Sequence, residues 1–383
     1  MTDPVPRVPN VSFKPPSWLR NPHLQSILPS LWSWRVPVLW RARRLRAASR
    51  HTVLECAEGV RLQAFIAQQP QPSAPWIMLL HGWLGHAESS YVLSLSSYLF
   101  ERGYSVVRLN LRDHGDTEHL NPGLFHSCRL AEVVSAVQVL QARYQPAALS
   151  LAGFSLGGNF ALRVAAQAPQ AELRLKSVAA VCPALNPHAS DAALAAGWPV
   201  YKQYFLNKWK QSLKRKQQLF AEHYELDAAL QLNSITQLTD ELVKQYAGFA
   251  GVRDYYDGYS LLGERLANLT LPCHLLLSAD DPIVPIEDAQ YLPTHPLLHV
   301  DISQYGGHCG FIQSWWRERW VNRWVVQCLE QTATQSQSRP INPSVAPVAR
   351  SANVPTNAQS RAPLMDAITD TPGLHGNGAD VKS

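Results

Sequence analysis

The chain has 383 residues, 46% of them hydrophobic and 16% charged, a composition that suits a globular protein with a sizeable core and excludes a disordered one. The formal net charge of +5 comes largely from two local clusters, Arg35, Arg41, Arg43, Arg44, Arg46 and Arg50, and the run Lys208, Lys210, Lys214, Arg215, Lys216. Neither is long enough to argue for nucleic acid as a partner.

Residues 1–50 read as an arm rich in Pro, Trp and Arg. Met1 to Phe13 carries Asp3, Pro4, Pro6 and Pro9 where a secretory signal needs a basic stretch followed by an apolar run, and no apolar stretch is long enough to span a bilayer. A cytoplasmic location is therefore the expectation. Basic residues interleaved with Trp32, Trp34 and Trp40, and later with Tyr204, Phe205 and Trp209, suit a weak peripheral contact with an anionic membrane surface. The preferred reading of both segments is a helix with its apolar face inward and its basic face in water.

From residue 51 to about 331, short apolar runs alternate with helical patterns, which is the signature of βαβ units around a mostly parallel sheet flanked by helices. Strands are expected at Trp76 to Leu80, Tyr104 to Leu109, Ala147 to Gly153, Ser177 to Cys182, Cys273 to Ser278 and Leu297 to Asp301, each a near-continuous apolar run of the kind a strand buried on both faces needs. Leu130, Val133, Val134, Val137 and Leu140 recur at spacings of three and four, and Trp316, Trp320 and Trp324 do the same in a final helix. Between Ala184 and about Asn268 the alternation breaks into a long helix-forming stretch, including Tyr201 to Phe220 and Ser234 to Tyr246. Such an insertion reads as a cap over the carboxyl edge of the sheet, where ligands bind in folds of this class. After residue 331 the composition turns to Thr, Ser, Gln, Pro and Ala, and residues 332–383 are expected to be a disordered tail. Six cysteines lie scattered without CxxC pairs and are expected to be reduced and buried.

The strongest chemical signal is Gly153-Phe154-Ser155-Leu156-Gly157-Gly158-Asn159, a buried strand running into GxSxG and then into a small-residue helix, Phe160 to Ala168, before Pro169. A five-residue pattern alone is weak. Its context is that of a nucleophile elbow, in which Ser155 sits on a strained turn and Gly153 and Gly157 leave room for the neighbouring strand and helix.

A serine hydroxyl attacks only when a base takes its proton. Downstream come Asp280-Asp281-Pro282, leaving the end of the Cys273 strand, and Gly306-Gly307-His308-Cys309-Gly310-Phe311, a glycine-flanked histidine ahead of the final helix. His308 is the expected base and Asp281 the expected carboxylate that orients it, with Asp280 left to accept backbone hydrogen bonds in its loop. The oxyanion hole is expected from the amides of Leu156, after the nucleophile, and of Trp83 in His81-Gly82-Trp83-Leu84-Gly85. The Trp83 side chain is placed either to line an acyl pocket or to pack. Arg112-Asp113-His114-Gly115-Asp116 belongs to the same edge, where its charges would brace loops. No histidine spacing of the HExxH kind occurs, so neither a metal nor another cofactor is expected.

These residues resemble the YheT-like branch of the α/β-hydrolases, the type-four AB hydrolase family, from about Pro16 to Gln331. The resemblance rests on Arg20-Asn21-Pro22-His23-Leu24-Gln25-Ser26-Ile27-Leu28-Pro29, on His81-Gly82-Trp83-Leu84-Gly85, on Phe125-His126-Ser127, and on the three segments that carry Ser155, Asp281 and His308. It implies an α/β-hydrolase fold and a hydrolase of carboxylic esters or small lipids such as monoacylglycerols, with those three residues as its triad. Two departures stand out, Trp83 where the family has a smaller aliphatic residue, and the Ser/Gln/Pro-rich tail. The same triad would also serve an acyltransferase, and a hydrolase fold reused as a non-catalytic binding module is the reading from a different class.

Overall fold

A computed structural model describes residues 10–337. Three short helices come first, α1 (Pro22–Ile27), α2 (Trp32–Arg41) and α3 (Arg43–Ala48), followed by an antiparallel pair, β1 (Ser49–Glu55) and β2 (Arg61–Ala67). Strands and helices then alternate: β3 (Trp76–Leu80), α4 (Ser90–Phe100), β4 (Ser105–Leu109), α5 (Leu130–Tyr144), β5 (Leu149–Phe154), α6 (Leu156–Gln167) and β6 (Val178–Val181). Four helices interrupt the alternation, α7 (Pro187–Ala196), α8 (Pro199–Leu219), α9 (Ile235–Tyr246) and α10 (Val252–Tyr259), before β7 (Cys273–Ser278), β8 (Leu298–Ser303) and α11 (Trp320–Gln337).

The eight strands form one sheet in the order β1-β2-β4-β3-β5-β6-β7-β8, parallel from β4 to β8. Strands β3 to β7 are buried along their whole lengths because helices cover both faces. Side-chain alternation divides β3 between two cores: Trp76, Met78 and Leu80 pack with residues of α5 and α6, and Ile77 and Leu79 with residues of α4 and α11.

All six expected strands are present, β3 and β7 with their expected limits and the others shifted by a residue or two. Several readings are corrected. The hairpin β1-β2 was not anticipated. It lies at the sheet edge, where β1 buries only Leu54 among exposed and part-buried positions and so lacks a continuous apolar run. Of the arm read over residues 1–50, residues 10–50 pack into the rest of the fold, since Phe13, Leu19 and Leu45 are core residues and Gln25 is fully buried; residues 1–9 lie outside the described residues. Trp316 precedes the final helix and is exposed, while Trp320 and Trp324 lie within it. That helix continues to Gln337, past the expected boundary; residues 338–383 of the tail lie outside the described residues. Cys128 is half-buried, and the other five cysteines are buried; all six are free thiols.

The four helices after β6 form the expected cap, with a small core of its own that includes Leu206, Leu213, Leu226, Leu238 and Leu242. Its long helix α8 is tied to the loop after β4 by a buried ion pair, Lys216 Nζ to Asp113 Oδ1 at 2.6 Å. Among the described residues no helix is long and apolar enough to cross a membrane, and no group of three His, Cys, Asp or Glu side chains could hold a metal ion.

Candidate active site

Ser155 stands between the last residue of β5 and the first of α6 with φ 53° and ψ −122°. That conformation costs an L-residue roughly 1–3 kcal/mol and persists only when its surroundings over-determine it. They do so here. The Ser155 amide donates to the Val181 carbonyl on β6 at 2.9 Å. A Cβ on Gly157 would stand 2.3 Å from the Leu80 carbonyl oxygen, and one on Gly153 would stand 2.2 Å from that of Gly157. Strand, turn and helix therefore close on each other only because both flanking positions lack side chains.

The loops leaving β7 and β8 bring the other two groups. His308 Nε2 lies 2.9 Å from Ser155 Oγ, and its Nδ1 lies 2.9 Å from Asp281 Oδ2 and 3.1 Å from Oδ1. Asp281 Oδ1 also accepts from the amides of Ile283 (2.8 Å) and Val284 (3.0 Å), which fixes the carboxylate plane. Asp280 faces away. Its Oδ1 accepts from the Ser278 hydroxyl and, at 2.8 Å, from the amide of Gly307, so it ties the β7 end to the histidine loop. Burial alone would lower the His308 pKa. The Asp281 carboxylate, aided by Cys309, outweighs burial and holds it well above the ordinary imidazole value.

The amides of Trp83 and Leu156 have no acceptor among the described residues, whereas the Gly82 amide next to Trp83 donates to the Tyr91 hydroxyl at 3.0 Å. Two buried histidines hold this loop. His81 Nε2 accepts from the Leu111 amide and His114 Nε2 from the Leu84 amide. Burial lowers both pKa values, that of His114 to about 4, so each stays neutral and keeps an acceptor nitrogen. Their role is structural.

Sequence reasoning gave the segment Asn21 to Ser26 no task at the site. Ser26 Oγ accepts from the His308 amide at 2.8 Å and donates to the Pro22 carbonyl. Gln25 is spent on three bonds, to the Leu19 carbonyl and to both backbone groups of Ile312. Beside them, Gly307 (φ 51°) and Gly310 pass so near that a Cβ would come within 2.4 Å of the Pro22 carbonyl oxygen and 2.2 Å of that of Gln25. Helix α1 is thus the clamp on the histidine loop. The signal available was the match between the NPHLQS and GGHCG segments of one resemblance. Asn159 is a second such residue, its side-chain amide donating to the carbonyls of Ala184 and Tyr259 at 2.8 Å each and so fastening both ends of the cap to α6.

Between sheet edge and cap lies a cavity of about 500 Å³ reached by Ser155 and His308 and walled by Trp83, Phe205, Trp209 and Tyr201. Trp83 both lines the cavity and packs, stacking on Phe205 with ring centroids 5.5 Å apart and meeting Trp209 edge-on at 5.2 Å. A hydroxyl, an imidazole and a carboxylate in series, two open amides and a largely apolar cavity are together the parts needed for acyl transfer.

A model of the alpha/beta hydrolase fold matches residues 75–314. Phospholipase ABHD3 of Mus musculus is 23% identical over 317 residues, covering 80% of this chain and 74% of that protein. The putative esterase YheT of Escherichia coli (strain K12) is 25% identical over 315 residues, covering 79% and 88%. Among solved structures, a membrane phospholipase A described as a novel bacterial virulence factor aligns with a TM-score of 0.51 at 18% identity, covering 81% of this chain and 94% of that one, a likeness of fold.

Proposed function

Since this chain belongs to the alpha/beta hydrolase fold family, we propose that it is a carboxylic ester hydrolase working through a covalent acyl-enzyme on Ser155. The observation that carries the reading is the continuous line Ser155 Oγ, His308 Nε2, His308 Nδ1, Asp281, with both contacts near 2.9 Å. His308 takes the hydroxyl proton as Ser155 attacks the ester carbonyl. The amides of Trp83 and Leu156 receive the oxyanion, and His308 then hands its proton to the leaving alcohol. Water attacks the acyl-enzyme in the second half-reaction, again with His308 as base.

The similarity to a phospholipase and a putative esterase supports an ester as substrate, and the 500 Å³ cavity gives room for a short- to medium-chain acyl group. A fluorophosphonate probe is expected to label Ser155 alone, and Ser155→Ala to abolish both labelling and hydrolysis of p-nitrophenyl butyrate. Labelling of another serine, or undiminished turnover by the variant, would overturn the assignment.

The His308 environment sets the pH dependence. The base acts only when neutral, and its carboxylate partner raises its pKa, so kcat/KM is expected to climb with pH along a limb centred above the ordinary imidazole value of about 6.5. Rates for p-nitrophenyl butyrate from acid to mildly alkaline pH measure it. A limb centred at or below that value would contradict the coupling of His308 to Asp281.

A further inference from the structure

One end of the cavity is cationic. Arg35, Lys208 and Arg319 all line it, against a single carboxylate among the described lining residues, Asp191, which accepts the Thr236 hydroxyl at 2.6 Å. Arg319 is the most telling. It is 5% exposed, no carboxylate of the described residues lies within ion-pair distance of it, and its side-chain hydrogen bond goes to the neutral Ser90 hydroxyl at 3.1 Å. The Glu318 carboxylate acts on it only from beyond that distance and is itself paired with Arg41. A guanidinium withdrawn from water without a contacting counterion is costly, unless an anion joins it.

The other donors gather at the same helix start. Arg35 reaches the Glu88 carbonyl through one terminal nitrogen, and its Nε is buried with no partner. His86 Nδ1 accepts from the Glu88 amide at 3.2 Å, which leaves the proton of the neutral ring on Nε2, free to donate. Lys208 approaches His86 from the cap helix α8 and makes no ion pair among the described residues. The nearby carboxylates are engaged elsewhere, Glu88 with Arg46 and Arg108, and Asp116 with Arg215. The amides of Ser90 and Tyr91, at the N-terminus of the 11-residue helix α4, have no acceptor among the described residues, and the helix adds a positive dipole end there.

We infer that this wall is a subsite for an anionic group, phosphate or carboxylate, carried by the same molecule as the ester, so that the substrate class is an acyl ester of a small anionic alcohol. The inference rests on the ester-hydrolase reading and adds specificity to it. The anion would be held by Arg319, Arg35 and Lys208, with the His86 Nε2 proton and the first amides of α4 completing its hydrogen bonds. It acts in positioning, since the reacting groups stay Ser155 and His308.

Three matched esters test it: 1-butyrylglycerol, 1-butyrylglycerol 3-phosphate and 3-O-butyrylglycerate, which share the acyl group and differ in charge. At least one anionic ester is expected to exceed the neutral one by about tenfold in kcat/KM at low salt, an advantage that shrinks as ionic strength rises. The better of the two identifies the anion as phosphate or carboxylate. Arg319→Gln and the double variant Arg35→Gln/Lys208→Gln should each bring the anionic-to-neutral ratio close to unity; the double variant decides if Arg319→Gln fails to fold. Turnover of the neutral ester with no anionic preference, or variants that slow all three esters alike, would overturn the subsite and leave the hydrolase reading standing. That reading falls separately, through an unlabelled Ser155.

Discussion

Asp281→Asn is expected to lower kcat by about four orders of magnitude while leaving the protein folded. In the structure the carboxylate accepts from His308 Nδ1, so the opposite nitrogen, Nε2, is the bare acceptor that faces Ser155. An asparagine can turn its amide toward Nδ1 and donate to it. The ring then holds its proton on Nε2, where it faces the serine as a donor and cannot take the hydroxyl proton. The variant also removes the charge that stabilises the imidazolium in the transition state. The fold has little reason to change, because an asparagine oxygen can still accept from the Ile283 and Val284 amides that now bind Oδ1. Steady-state kinetics on p-nitrophenyl butyrate, together with an unfolding midpoint close to that of the parent, measure both halves of the expectation. A loss below tenfold, or a larger loss from Asp280→Asn than from Asp281→Asn, would mean that the wrong carboxylate has been placed behind His308.

Removal of Lys216 should be the costliest change away from the chemistry. Its ammonium is 1% exposed on the inner face of α8 and donates to Asp113 Oδ1 at 2.6 Å, to the Asn121 carbonyl at 2.5 Å and to the Glu118 carbonyl at 3.1 Å. Asp113 is nearly as buried. Burial raises its pKa to about 6 despite the neighbouring ammonium, and burial likewise lowers that of Lys216, so each charge depends on the other. Lys216→Ala strands the carboxylate and two carbonyls in the interior, a loss of about 3–5 kcal/mol by the usual cost of breaking one side of a buried pair. The urea midpoint should fall accordingly. The double variant Asp113→Asn/Lys216→Met should recover part of the loss, since asparagine tolerates the φ of 57° found at residue 113 and no unpaired charge remains. A single variant as stable as the parent would show that this pair does not fasten cap to core.

Much of the fold and of the outline of the candidate site was legible from residue order because it is written in local signals. A parallel strand covered on both faces must be apolar throughout, so β3 and β7 were found with their limits. The elbow is equally local: a serine at a positive φ between two glycines can be recognised within five residues. The hairpin β1-β2 was not legible for the converse reason. At a solvated edge the burial requirement lapses, and the sequence of β1 carries no continuous apolar run.

What depends on distant residues had to wait for the tertiary structure. Asp280 and Asp281 are neighbours before the same proline, and only the orientation of the loop at the end of β7 turns one toward His308 and the other toward the amide of Gly307. Ser26 and His308 meet although they stand 282 positions apart in the chain, and no periodicity reports a contact of that kind. The cationic wall is likewise assembled from four separate segments, those bearing Arg35, His86, Lys208 and Arg319, each of which alone reads as an ordinary polar side chain. Sequence patterns record what a residue needs from its immediate neighbours along the chain. Which groups share a low-dielectric cavity, and so which charges lack a counterion, is decided by how strand order and cap docking bring remote segments together.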